Sequence, residues 1–146
     1  MPRQKLTSAA ISTLKNNETG EPFHIQQAAQ IRAYRSAWKE AGHEREPRVS
    51  VSRSIVAIMD DRDRIYFGRG GEDDDQIGFI DPQTQAIFGR GYAAEPGVLI
   101  EQLKKDEALV EADTLLLTVP NPLGVAYNAH VIESILTHVA PALGWR

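Results

Sequence analysis

The chain has 146 residues, 42% of them hydrophobic and 25% charged, the balance of one soluble globular domain spanning 1–146. A net charge of -4 argues against nucleic acid as a partner, because phosphate binding needs a basic surface. The absence of cysteine excludes disulfides, thiolate metal sites and cysteine nucleophiles and fits a cytoplasmic setting; no apolar run approaches the ~18 residues of a membrane span.

The N-terminal "MPRQKLTSAAISTLK" has basic residues but no long apolar core, so it does not read as a signal peptide. Within it, "AAISTL" at 9–14 is a short strand or its remnant. "NNETGEP" at 16–22 is a loop by its Asn, Gly and Pro content. A helix follows over 23–41, where Gln27, Ile31, Tyr34, Trp38 and Ala41 step by four and three, and Gly42 ends it. "RVSVSRSIVAIM" at 48–59 is a strand. Val49 and Val51 alternate with serines there before the run becomes continuously apolar. The segment 60–94 resists assignment. A helix is expected over 95–111, with Pro96 in its first turn and Val98, Leu99, Ile100, Leu103 and Leu109 on its buried side. "DTLLLTVP" then gives a strand at 113–119 with apolar residues on both faces, the mark of a strand covered on both sides, and Pro120 stops its pairing. The last helix carries Val131, Ile135 and Val139, with Ile132 and Leu136 beside them. Asn128 is its expected cap, and Pro141 and Gly144 end it. The order β–α–β–insert–α–β–α is an α/β pattern with a parallel sheet that has too few strands to be complete.

No motif in the chain carries chemistry by itself. "GRGYAA" at 89–94 has the letters of a dinucleotide fingerprint, but "DPQTQ" stands where the required strand should be, so a loop before a helix is expected. "EDDDQIG" at 72–78 begins like a calcium loop, but Ile77 and Thr84 occupy positions that need oxygen ligands, so it reads as a solvated acidic loop. His24, His43, His130 and His138 include no pair at ligating spacing; no metal site and no catalytic residue are read from the sequence. Ser50, Ser52 and Ser54 share one face of their strand.

Taken together, "IRAYRSAWKEAGH", "REPRVSVSRSIVAI", "AEPGVLIEQL", "EADTLLLTVPNPLG" and "LTHVAPALGWR" resemble the C-terminal part of the luciferase-like, flavin-dependent monooxygenases. Their joint order carries the likeness, over roughly residues 10–146. The resemblance implies the C-terminal portion of a (β/α)8 TIM-type barrel, with two to three parallel strands and flanking helices. "AISTL" would be strand six, 48–59 strand seven and 113–119 strand eight. It implies FMN or reduced FMN as cofactor, with F420 the lesser alternative, and a small organic substrate and O2 as partners. Sites on this fold lie at the C-terminal strand ends. The resemblance therefore implies cofactor contacts at Ser12, Thr13, Ser54 and Asn121, with Ile58 near the barrel mouth. Relatives often have "GSPEEV" where this chain has "AEPGVLI", so that serine has no counterpart here.

Such a barrel usually takes about 250 residues. The chain alone is thus expected to be inactive, to bind no flavin usefully, and to form homo-oligomers through exposed sheet edges. The alternatives are a non-catalytic remnant that acts only by association and, more remotely, a small nucleotide-binding α/β protein.

Overall fold

The computed structural model describes residues 13–14, 21–68, 74–81 and 84–145. In chain order the elements are β1 (Thr13–Leu14), α1 (Phe23–Glu40), β2 (Ser50–Ala57), α2 (Asp61–Phe67), β3 (Asp74–Asp81) and β4 (Thr84–Ala94). After these come α3 (Pro96–Lys104), α4 (Glu107–Glu111), β5 (Thr114–Thr118), a 3-10 turn (Asn121–Leu123), α5 (Gly124–His138) and α6 (Ala140–Leu143).

The strands form one five-stranded mixed sheet. Its centre is β2, paired in parallel with β5 on one side (Ser50 opposite Thr114, Ser54 opposite Thr118) and with β4 on the other (Arg53 opposite Arg90, Ala57 opposite Ala94). β3 and β1 both pair antiparallel with β4. The expected parallel neighbours, 48–59 and 113–119, are therefore neighbours. The expected place of "AISTL" beside β2 is not found: Thr13 and Leu14 lie antiparallel against β4, and β4 holds the flank of β2 that a sixth barrel strand would take.

β2 shows why one face of the sheet is the core. Val51, Arg53, Ile55 and Ala57 alternate onto one side, each no more than 2% exposed. Ile55 packs with Tyr92, Leu99, Leu103, Tyr127, Val131 and Ile135, while Val49 and Val51 pack with Ala28, Ile31 and Ala108. So α1, α3, α4 and α5 contribute to the covering of this face. Each fully buried leucine, such as Leu99, contributes roughly 1.5–3 kcal/mol relative to an exposed one. The opposite face carries Ser50, Ser52 and Ser54 and, from β5, Leu116 and Thr118. It is partly open: Ser50, Leu116 and Thr118 are exposed and Ser52 and Ser54 half-buried, although Val56 is buried.

Other expectations change in detail. The segment 95–111 is two helices, because the Asp106 side chain caps α4 by accepting Leu109 N and so interrupts the run. Val98 is 53% exposed, not buried. β5 is covered on one face only, with Leu116 at 56% exposure on the other. The last helix begins at Gly124, whose φ of 83° turns the chain out of the 3-10 turn, so Asn128 lies inside the helix and does not cap it. α5 stops at His138, and α6 closes on Gly144, with φ of 68°. The "EDDDQIG" segment is not a loop from residue 74 onward, since β3 starts there and pairs with β4. Residues 89–94 lie inside β4, so their glycines sit in a paired strand and make no phosphate-binding turn.

Candidate functional site

The C-terminal end of β2 leads directly into a polar cluster. Ile58 N donates to Ala94 O at 2.9 Å, which carries the parallel pairing one residue past the strand. Asp60 then caps α2. Its side chain accepts Asp63 N at 2.9 Å, and Asp63 accepts Asp60 N in return at 3.4 Å. This reciprocal box turns the Asp63 carboxylate inward. Met59 N adds a further hydrogen bond to it, at 2.9 Å.

The other wall is α5. Tyr127 and His130 are three residues apart and share a helix face. The Tyr127 hydroxyl donates to Asp63 Oδ1 at 2.5 Å, and His130 Nε2 lies 2.9 and 3.0 Å from the two Asp63 oxygens. Asp63 is fully buried, and the His130 side chain is 26% exposed. Asp60 Oδ2 lies 4.0 Å from His130 Nε2. The Arg62 guanidinium sits over the Tyr127 ring at 4.8 Å, and the Phe67 ring stacks on Tyr127.

The charges follow from these contacts. Burial pushes the Asp63 carboxyl up, but the hydrogen bonds from Tyr127, His130 and Met59 outweigh it and hold the group below its usual value. Burial and the adjacent Asp63 carboxylate push the Tyr127 phenol far above its ordinary range. In neutral imidazole the nitrogen facing a carboxylate carries the hydrogen, which leaves Nδ1 as the basic atom. The arrangement can orient a histidine or hold a cation. Among the described residues no hydroxyl bonds the His130 ring, so nothing here makes a hydrolase triad.

A second buried cluster lies in the sheet. Arg53 is fully buried on β2 and forks onto Asp106, with Nε to Oδ2 at 2.8 Å and Nη2 to Oδ1 at 3.0 Å. It also donates to Gln27 Oε1 and Ser52 O, both at 2.8 Å, and Tyr92 donates to Asp106 at 2.7 Å. Every charge in this cluster is paired and hydrogen-bonded. It ties α1, β2, β4 and α4 together.

The residues singled out from sequence are spread along the sheet. Ser12 lies outside the described residues. Thr13 pairs with Ile87 and Ser54 with Gly91, both on β4, so the two are separated by roughly 13 Å along the strand direction, at ~3.3 Å per residue. Ser54 is on the open face beside Thr118, and Ser52 and Thr118 share a 3.3 Å hydrogen bond there. Asn121 opens the 3-10 turn three residues past the end of β5. The structure brings Ser54 toward the β5 end but does not join it to Thr13.

Sequence reasoning missed Asp63, Tyr127 and His130. "DDRD" at 60–63 was legible as a cap and "YNAH" at 127–130 as one helix face, but their meeting depends on packing across more than sixty residues. No family model, curated protein or solved structure matches this chain.

Proposed function

We propose that the chain is the C-terminal portion of a luciferase-like, flavin-dependent oxidoreductase barrel, inactive alone and competent once further strands close it. The observation that carries this reading is the parallel pairing of β2 with both β4 and β5, α3 and α4 joining β4 to β5, with helices on one face and the serine-bearing face partly open. In a barrel the helix-covered face is the outside and the other lines the interior. Ser54, opposite the last residue of β5, and Asn121 beyond it would then stand near the strand ends where flavin is bound in that class, while Thr13 would join them only if β1 left its antiparallel place on β4. FMN is the favoured cofactor and F420 the lesser one. The reacting partners are O2 and a small organic substrate.

One observation favours a second reading, a non-catalytic module that acts by association. β4 already occupies the flank of β2 that strand six would need, so barrel closure requires the β3–β4 hairpin to leave that flank. Co-expression separates the two. Produced together with the N-terminal five β/α units of a luciferase-like barrel, the chain is expected to purify as a complex carrying FMN or F420, identified by its absorption. A colourless complex, or no complex, leaves the association reading.

A further inference from the structure

We propose that Asp60, Asp63 and His130 form a site for a single divalent transition-metal ion of the Zn(II) class. One donor atom from each lies within 4.8 Å of the others. The site belongs to the α2–α5 junction and stands independently of the flavin reading.

The hydrogen bonds around Asp63 leave one direction for a metal. Its Oδ2 accepts Met59 N and Asp60 N. Its Oδ1 accepts the Tyr127 hydroxyl, and its remaining lone pair meets His130 Nε2 at 2.9 Å. A metal ion takes the place of the imidazole proton on that line. Tetrahedral bonds of ~2.0–2.1 Å set the two donors about 3.3 Å apart, a small widening from the present separation. Asp60 Oδ2, at 4.0 Å from Nε2, supplies the third donor from a half-exposed side chain whose Oδ1 stays on the α2 cap. The Tyr127 hydroxyl and the two amides then remain on the ligating carboxylate as the outer hydrogen bonds such ligands characteristically carry. Solvent reaches Asp60 and can fill the fourth position.

Charge and donor type select the ion. Two carboxylates offset a divalent charge, and the imidazole favours Zn(II), Co(II) or Ni(II) over Mg(II) and Ca(II), which prefer oxygen alone. Arg62, 4.0 Å from Asp60 Oδ2, is the competing cation and must release it. A bound ion would link the loop after β2 to α5 and stabilise the fold by mass action.

The test uses the full chain without an affinity tag, stripped with a chelator and titrated with CoCl2 and then ZnCl2. Calorimetry and the visible absorption of Co(II) are the readouts. One equivalent of Co(II) is expected, displaced by Zn(II) and undisturbed by a large excess of Mg(II). Tyr127→Phe should weaken binding by ~10-fold, the lower end of the effect of losing an outer hydrogen bond. His130→Gln should weaken it by more than the ~100-fold upper end of that range. His138→Ala, at the exposed end of α5, should change nothing. Asp60→Asn keeps the helix cap while removing a charged ligand. It should weaken binding at least tenfold even if His130→Gln proves unfolded by circular dichroism. Failure to saturate at one equivalent, wild-type affinity in Asp60→Asn or in a folded His130→Gln, or loss of binding in His138→Ala would overturn the proposal.

Discussion

Arg53 shows most clearly how one residue organises this molecule. A charged side chain with no exposure is destabilising unless paired, and breaking a buried pair typically costs ~3–5 kcal/mol. Arg53→Met, which leaves Asp106 without its fork, is expected to lower unfolding free energy by about that much in urea titrations. Tyr92→Phe removes one hydrogen bond from the same carboxylate and should cost about 1–3 kcal/mol. The pair also sets a pH dependence. Burial pushes Asp106 up, but the hydrogen bonds and charge of Arg53, with Tyr92 and Leu109 N, bring it below its ordinary value. A depressed carboxyl stabilises the fold above the unfolded value of ~3.9, and that stability is lost as pH falls through the lower folded value. The wild-type urea midpoint should therefore drop between about pH 5 and pH 2, more steeply than that of Asp106→Asn. A slope unchanged by the substitution would remove Asp106 from this role. Arg53 was legible in part. Strict alternation places it on the Val51 and Ile55 face, and an inward arginine demands a carboxylate, but nothing local names Asp106, fifty-three residues away.

At the scale of elements, strong local signals were readable and partner-dependent ones were not. The apolar runs of β2 and β5 and the four-and-three spacing of α1 carry their own structure, and each lies within the expected span. β3 and β4 do not, because acidic residues and glycines in "DDQIGFID" and "TQAIFGRGYAA" have low strand propensity and form strands through their mutual pairing. The split between α3 and α4 was hidden because Asp106 reads as an ordinary helix residue until its cap and its arginine are seen. Glycines offer a clean test of backbone geometry here. A Cβ at Gly124 or Gly97 would meet nothing within 4 Å, but only Gly124 has a positive φ, of 83°. Gly124→Ala should cost about 1–2 kcal/mol, while Gly97→Ala in α3 should stabilise by about 0.4–1 kcal/mol. Thermal melts of the two variants should move in opposite directions. A shift of the same sign in both would contradict the described start of α5.

For the whole molecule, the decisive feature is the unpaired edge of the sheet at β5 among the described residues. A cleft of about 550 Å³ beside it is lined by Leu115, Leu117, Leu136 and Trp145, with Arg48 and Asp113 at one end. No charged residue guards the strand itself, the usual protection of an edge. The isolated chain should therefore elute from size exclusion as a dimer or larger species, and Leu116→Lys should shift it toward monomer. A monomeric wild type with a cooperative melt would count against an edge meant for another strand. The proposed flavin reading carries its own expectation. Neutral hydrogen bonds contribute only ~0.5–1.5 kcal/mol each, and association costs at least ~4 kcal/mol, so a site with few strand ends binds at roughly millimolar strength. The most direct test of the proposed barrel reading is an FMN fluorescence titration of the chain alone and of the chain joined by the N-terminal five β/α units of a luciferase-like barrel. Affinity no better than about millimolar is expected alone, and at least a hundredfold tightening in the joined form. Micromolar binding by the chain alone, or no gain on joining, would contradict that reading.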